Sequence, residues 1–291
     1  MKLLITGHCG FIGSQAWKYF EEKGHEVWGI DNLSRSTSIW NTSQRSIKAN
    51  VTDISSISEL DLDFDFVLHL AAQVSVVEGE INPEIDFQSN ALGTFSIVQF
   101  AKKKNAGLIY ASTNKVFGEL SGVLSPINDL QPLVPQTNYG VSKCAGAHSV
   151  ADYLNGFVLH QSCIYGEAQV GDENQGWIGW IRQQVKNGQP IVCFGDGTQV
   201  RDLLHVEDLI KLYEIIIQGK VAAGSYVVGG GVKNAFSFSE VVNLFGGTIS
   251  RFSEWRDNDQ RYFVSLNEGL ARQGWEPRID FKDRISALLA P

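Results

Sequence analysis

Lys2-Leu3-Leu4-Ile5-Thr6-Gly7-His8-Cys9-Gly10-Phe11-Ile12-Gly13 opens the chain with a short apolar run that gives way to spaced glycines. Lys2 to Thr6 reads as a strand, and Ser14 to Glu22 reads as a helix with Trp17 and Phe20 on its buried side. The glycines therefore lie in a strand-to-helix turn. There Gly7 permits a tight turn, Gly10 lets backbone approach a pyrophosphate, and Gly13 lets the helix pack closely. The amides that open the helix, around Phe11 and Ile12, face the phosphates. A second apolar run, His25 to Ile30, ends in Asp31-Asn32, where a carboxylate grips the adenosine ribose hydroxyls. That carboxylate favours NAD, because it repels a 2′-phosphate; Arg35 nearby keeps NADP open.

Outward from this turn, strand-like runs alternate with helical patterns: 2–6, 26–30, about 46–50, 64–70, 108–111 and 157–161. The alternation predicts an α/β fold with a doubly wound parallel sheet. Such sheets bind ligands beyond the carboxyl ends of their strands, where Thr6-Gly7, Asp31, Asp53-Ile54, Ala71-Ala72-Gln73 and Ser112-Thr113 all fall. Residues 34–46, rich in Ser and Thr, read as a loop beside the adenine. Asn90, in a helix beginning near Glu84, either braces the backbone of this region or is a surface amide.

Tyr139-Gly140-Val141-Ser142-Lys143 supplies chemistry. Residues four apart on a helix project from one face, so the Lys143 ammonium is expected under the Tyr139 phenol, favouring its ionised form and tuning a proton acceptor toward working pH. Ser112-Thr113, ending a strand, adds a hydroxyl able to hydrogen-bond a sugar oxygen as its charge changes; Thr113 is the first choice and Ser112 the reserve.

The 291 residues, 43% hydrophobic, suffice for one large domain or two. A formal charge of −8, with only Lys102-Lys103-Lys104 as a basic block at a helix end, argues against nucleic acid as a partner. Cys9, Cys144, Cys163 and Cys193 show no CxxC pairing, which predicts reduced thiols, a cytoplasmic protein and no metal site. No apolar stretch approaches 18 residues and no signal-type leader is visible, so neither membrane spanning nor export is expected.

With these motifs in place, the chain resembles the extended short-chain dehydrogenase/reductase superfamily over nearly its whole length, with the nucleotide-sugar epimerase branch nearest. More narrowly, Ser112-Thr113-Asn114-Lys115-Val116-Phe117-Gly118, Gln175-Gly176-Trp177-Ile178-Gly179-Trp180, Gln199 to His205 and Asp259-Gln260-Arg261 resemble the CDP-paratose 2-epimerase (CDP-tyvelose epimerase) family. The resemblance implies an NAD-binding Rossmann domain over 1–165 and a smaller α/β nucleotide-sugar-binding lobe over 166–291, partly interleaved with the first. It implies a tightly held NAD that takes hydride from sugar C2, leaving a transient 2-keto sugar that receives the hydride back on its other face. Tyr139 is then the acid/base, Lys143 its tuner and a ligand of the nicotinamide ribose, and Thr113 the partner hydroxyl.

Further roles follow from the same likeness. Gly7, Gly10, Phe11, Ile12, Gly13, Asp31, Asn32, Asp53, Ile54, Ala71 and Ala72 surround the cofactor, and Gln73 and Asn114 meet the substrate. Arg201 and Arg256 match positions that clamp a nucleotide diphosphate, through bidentate charge-assisted bonds. Arg261 joins them or pairs with Asp259. Lys115 contacts sugar or diphosphate or forms a surface ion pair, and Trp177 and Trp180 line the sugar or base pocket or share a buried aromatic face. Sugar 4,6-dehydratases resemble Thr-Asp-Glu where this chain has Thr113-Asn114-Lys115, so the acid pair that expels water is missing. His205 reads as structural, while His8, in place of a small residue, crowds the pyrophosphate or hydrogen-bonds to it.

CDP-paratose or a CDP-glucose-like sugar is the expected substrate, with polysaccharide biosynthesis as the expected setting. A UDP-sugar 4-epimerase and a non-catalytic NAD(H)-sensing protein are the alternatives. The helices near 84–104 and 139–154 resemble those that pair across a homodimer in this superfamily.

Overall fold

The computed structural model describes residues 1–35, 43–53, 63–120 and 125–290; Ile54 and most of the polar loop 34–46 lie outside the described residues. In chain order the strands are β1 (Lys2–Thr6), β2 (Glu26–Asp31), β3 (Ser46–Lys48), β4 (Phe66–His69), β5 (Gly107–Thr113), β6 (Gly156–Gln161), β7 (Cys163–Tyr165), β8 (Ile191–Phe194), β9 (Val200–His205), β10 (Gly224–Val228), β11 (Ala235–Ser237), β12 (Ile249–Ser253) and β13 (Tyr262–Phe263).

A seven-stranded sheet runs β10-β6-β5-β4-β1-β2-β3. Its central pairings are parallel, with Leu3 opposite Val27 on one side and Phe66 on the other. The reversal of order beside β1 is the doubly wound arrangement, and it puts the β1 and β4 ends at the crevice where such sheets take ligands. The expected strands all form. The seventh, β10, was not foreseen as part of this sheet, because sequence alternation shows a strand but not the sheet it joins.

The first compact unit comprises Met1–Thr113, Thr137–His160 and Leu212–Ser225. The expected cut at residue 165 thus differs from the observed grouping: 114–136 and 161–165 group with the later chain and 212–225 with the earlier. The core of this unit packs Leu4, Ile30, Val67, Ile97, Leu108, Tyr110 and Val158, every one nearly inaccessible. Its helices are α1 (Phe11–Glu22), α2 (Val76–Ile81), α3 (Pro83–Asp86), α4 (Gly93–Lys104) and α5 (Asn138–Ala151). A π-helical turn, Phe87–Leu92, joins α3 to α4. Such turns insert a residue into the helical ladder and often mark functional positions; here it turns Asn90 inward, fully buried.

The second unit comprises Asn114–Gln136, Gln161–Lys211 and Tyr226–Pro291. β9 is its hub, pairing with β7, β11 and β13. Its apolar centre gathers Tyr165, Ile178, Leu203, Phe236, Val241 and Phe281. Fully buried Asp202 on β9 accepts from the Ser265 and Gly231 amides, both at 3.0 Å, and from the Ser162 and Ser265 hydroxyls. Burial pushes its carboxyl up, against those four donors.

Candidate active site

The glycine turn is built by close approach. Gly7 has φ +72°, and a Cβ there would lie 2.8 Å from the Ala71 amide nitrogen at the end of β4. A Cβ on Gly13 would lie 2.2 Å from the Gly7 carbonyl oxygen, so only glycine lets α1 seat on the turn. Gly10 caps α1 without a side-chain hydrogen bond, and the first-turn amides of Phe11, Ile12 and Gly13 have no acceptor within the helix. Uncapped amides on a glycine floor fit a pyrophosphate.

Asp31 stands at the end of β2, its Oδ2 accepting from Cys9 N at 3.0 Å and its Oδ1 from Leu33 N at 2.8 Å. Each oxygen keeps a second acceptor position for a hydroxyl. Asn32 is turned the other way, exposed and closing a turn on Ser34 N. Asp53 is likewise exposed. Ala71 and Ala72 are half-buried beyond β4, Ala71 N donating to Thr6 Oγ1 at 3.2 Å.

A buried hydrogen-bond chain runs from this turn toward Asn90. Burial pushes His69 down to about 3, so the ring is neutral. Thr94 Oγ1 donates to Asn90 O at 2.7 Å and must therefore accept from His69 Nε2–H at 3.0 Å, which leaves Nδ1 to accept from Thr6 at 2.7 Å. Asn90 itself is a brace: Oδ1 accepts from Gln73 N at 2.9 Å, while Nδ2 donates to Gln73 O at 3.0 Å and Ser142 Oγ at 3.1 Å. Of the two readings of Asn90, the structure shows the bracing one.

The side chain of Gln73 is engaged within the same unit, with Nε2 donating to Ser75 O at 2.8 Å and to Asp86 Oδ1 at 2.6 Å. Asp86 is fully buried, and a Cβ on Gly79 would fall 2.1 Å from its other oxygen. Burial raises its carboxyl to about 6, with the Gln73 hydrogen bond opposing. Nothing in the sequence distinguished Asp86 from a surface acid of a short helix.

Thr137 caps α5 by accepting from Gly140 N at 3.0 Å, which places Tyr139 in the first turn and Lys143 one turn later. Thr113, ending β5, hydrogen-bonds the Tyr139 phenol. The phenol is pushed up to about 12 by burial, with Thr113 opposing and Asp86 reinforcing. Lys143, only 2% exposed, donates to Ala111 O at 2.6 Å and lies 4.2 Å from the Tyr110 ring centroid. Burial brings its amine down to about 7, against Asp86. The expectation of a phenol tuned down by a firm cation therefore meets the opposite balance: desolvation holds the phenol proton on and loosens the ammonium proton. Ser112, the reserve hydroxyl, bonds His160 Nδ1 at 3.0 Å.

Within the second unit the predicted substrate residues form two groups. Asn114 and Gln260 clasp reciprocally: Asn114 Nδ2 to Gln260 Oε1 and Gln260 Nε2 to Asn114 O, both at 2.9 Å. Asp259 Oδ1 is shared by Lys115 Nζ and Arg201 Nη2, each at 3.2 Å. Burial works to raise Asp259, yet the two cations hold it below its ordinary value; burial lowers Lys115 despite Asp259. Arg201 also donates to Gln260 O at 2.7 Å.

The other two arginines stand on aromatic faces, Arg256 at 3.9 Å over Phe194 and Arg261 at 3.1 Å over Trp255, so Asp259 serves Lys115 and Arg201 rather than Arg261. Trp177, on α6 (Trp177–Lys186), stacks on Phe238 with centroids 5.6 Å apart and donates to Cys163 Sγ at 3.3 Å. Buried His205 bonds Glu167 Oε2 at 3.1 Å, in keeping with a structural role.

His8 departs from the expectation that it meets the pyrophosphate. Its ring is 1% exposed, faces Trp17 at 5.3 Å and bonds Ser46 Oγ at 2.6 Å. The turn directs the side chain inward over β2, because Gly29 leaves room there.

Among the described residues no helix is long and apolar enough to cross a membrane. The family model of the NAD dependent epimerase/dehydratase family matches residues 3–229. The chain is 31% identical to CDP-paratose 2-epimerase of Salmonella typhi, covering 99% of this chain and 98% of that one. It is 30% identical to a putative UDP-glucose 4-epimerase of Methanocaldococcus jannaschii, with 99% and 97% covered. The structure of Thermus thermophilus UDP-glucose 4-epimerase in complex with NAD superimposes with a TM-score of 0.88 at 24% identity, covering 99% and 98% of the two chains. The sheet, the glycine turn and these likenesses agree: the chain belongs to the NAD dependent epimerase/dehydratase family, enzymes of the extended short-chain dehydrogenase/reductase type that use NAD.

Proposed function

We propose that this enzyme inverts C2 of a CDP-activated sugar, CDP-paratose or a CDP-glucose-like relative, through a transient 2-keto sugar. The observation that carries the catalytic part is the Thr113 hydroxyl bonded to the Tyr139 phenol, with Lys143 one turn along α5. The choice of sugar rests on the full-length likeness to the Salmonella typhi protein and on Asn114-Lys115 standing where a dehydratase carries acids.

NAD, when bound, supplies the acceptor and later the donor of one hydride. Gly7, Gly10 and Gly13 with the amides of α1 take its pyrophosphate, and Asp31 takes the adenosine ribose. Tyr139, in its ionised form, receives the proton of the sugar hydroxyl as the carbon gives up its hydride, and the phenol so formed returns it when the ketone is reduced on its opposite face. Thr113 holds the oxygen through both charge states. Burial holds the phenol up near 12 and brings the Lys143 amine down to about 7, so ionising Tyr139 is the demanding part of the step, and a cation one turn along α5 is the group placed to favour it. Arg201, Arg256, Arg261 and Lys115 are the cations assigned to the diphosphate and sugar, and Trp177 is the aromatic assigned to the sugar or base.

In this reading the enzyme works as a cytoplasmic homodimer in polysaccharide biosynthesis. Supporting the dimer, Ile85, Phe87, Leu92 and Phe95 are all more than 40% exposed along α3, the π-turn and α4, an apolar stripe typical of a protein contact.

Incubation in D₂O with CDP-paratose, CDP-glucose, UDP-glucose and UDP-galactose, followed by proton NMR, tests the reading. A C2 epimer of a CDP-sugar without deuterium at C2 supports it. Inversion at C4 of a UDP-sugar replaces it with the 4-epimerase reading that the Methanocaldococcus relative favours. Silence on all four from NAD-loaded protein favours the NAD(H) sensor.

A further inference from the structure

Two side chains of the glycine turn have no part in the cofactor site proposed above, those of His8 and Cys9. Both are 1% exposed. Cys9 Sγ lies 3.4 Å from His8 Nε2, and one ligand atom from each of His8, Cys9 and Asp31 falls within 4.8 Å of the others. Tetrahedral zinc, with bonds of about 2.0–2.3 Å to nitrogen, sulfur and oxygen, spaces its ligands about 3.5 Å apart. The thiol and imidazole are already at that spacing.

The set is held from behind. The Cys9 amide fixes Asp31 Oδ2 at 3.0 Å, Trp17 backs the His8 ring, and a Cβ on Gly29 would lie 2.3 Å from that ring. Ser46 Oγ, 2.6 Å from the same imidazole nitrogen, is a further oxygen at the site. The Ile30 main chain also hydrogen-bonds the ring, the kind of outer contact that orients a ligating histidine. Sequence spacing conceals this group, since Asp31 reaches the turn only through the parallel pairing of β1 with β2, Thr6 opposite Ile30.

We propose that His8, Cys9 and Asp31 form a site for a thiophilic divalent cation, Zn²⁺ above all, whose occupancy excludes the adenosine ribose from Asp31 and so makes NAD loading sensitive to metal. The competition rests on the placement of the ribose at Asp31; the metal site does not. On binding, the Cys9 thiol releases its proton to solvent as the sulfur–metal bond forms, His8 Nε2 gives its lone pair, Asp31 gives an oxygen, and a water completes the tetrahedron. Nitrogen, thiolate and carboxylate together select zinc or cobalt over magnesium or calcium.

The test titrates chelator-treated protein with Co²⁺. A thiolate-to-cobalt charge-transfer band should saturate at one equivalent per chain, be displaced by Zn²⁺, and disappear in Cys9→Ala. In His8→Phe, which keeps an aromatic ring against Trp17, metal affinity should fall at least about tenfold. Circular dichroism of both variants establishes that they fold. A band that survives Cys9→Ala, or an affinity unchanged in His8→Phe, overturns the site. Saturating NAD should suppress the band in the unaltered protein; full metal binding by protein shown to be NAD-loaded overturns the competition while leaving the site. NAD that binds as well to Asp31→Asn as to the unaltered protein shows instead that the ribose lies elsewhere.

Discussion

Replacing Lys143 with methionine should make the protein more stable while abolishing turnover. Lys143 is 2% exposed, and burial brings its amine from an ordinary value of 10.5 to about 7. That fall corresponds to about 5 kcal/mol of native-state cost for the charged form. Between pH 7 and 10.5 the unfolded chain binds this proton and the native chain does not, so stability rises with pH through that window, and the full cost is present below it. Methionine removes the cost but leaves Ala111 O without the donor now 2.6 Å away, a loss of about 1–3 kcal/mol. The variant should therefore exceed the unaltered protein by about 2–3 kcal/mol near pH 7 and lose most of that advantage by about pH 9.

Urea unfolding of both ligand-free proteins at the two pH values measures this as a double difference of about 2 kcal/mol. The general charge repulsion of an acidic chain cancels in that difference. A double difference of zero or of opposite sign would refute the claim that desolvation dominates at Lys143.

Tyr139→Phe should lower kcat by several orders of magnitude while the purified protein keeps its NAD, measured by turnover and by the nucleotide released on denaturation. Asp86 raises the proton affinity of both Tyr139 and Lys143, so Asp86→Asn should move the kcat/KM pH profile to lower pH; a profile unmoved or moved upward removes Asp86 from the electrostatics. Gly13→Ala puts a methyl 2.2 Å from the Gly7 carbonyl oxygen, and should cost about 1–3 kcal/mol together with NAD content, read by thermal unfolding and absorbance. Phe95→Glu should convert a dimer to a monomer in sedimentation velocity, with the NAD content unchanged.

What was legible in the sequence was what adjacent residues encode. The Lys2–Thr6 run, the glycines and the α1 pattern lie within about two dozen residues, and sterics at Gly7 and Gly13 leave few alternatives. The Tyr139–Lys143 spacing likewise follows from helical geometry once Thr137 caps α5. Side-chain partners were not legible, because they arrive from far along the chain. Gln73 and Asn114 read as substrate amides, yet each is held by a protein group, Asp86 for one and Gln260 for the other. Gln260 is 146 positions from Asn114, and no local pattern announces a clasp of that kind. The same holds for the units, since 114–136 and 212–225 group by contacts rather than by order.

The polar groups of the first unit show why this reaction tolerates such an expensive interior. Asp86, Asn90, Lys143 and His69 are all nearly inaccessible, and each costs folding energy unless it is hydrogen-bonded. Asn90 and His69 are satisfied by fixed partners, so they add rigidity. Asp86 and Lys143 are satisfied less completely, and burial moves their proton affinities toward neutrality from opposite sides, to about 6 and about 7. In the proposed mechanism a proton taken from a sugar hydroxyl must be given back within one turnover. Burial moves the acid/base itself, Tyr139, away from neutrality to about 12, and the Asp86 charge reinforces that rise, so Asp86 bears on the return through its field rather than by carrying the proton. Lost stability and the shifted proton affinities thus have one physical origin, the removal of water from around Lys143 and Asp86, and a substitution that restores the first must abolish the second.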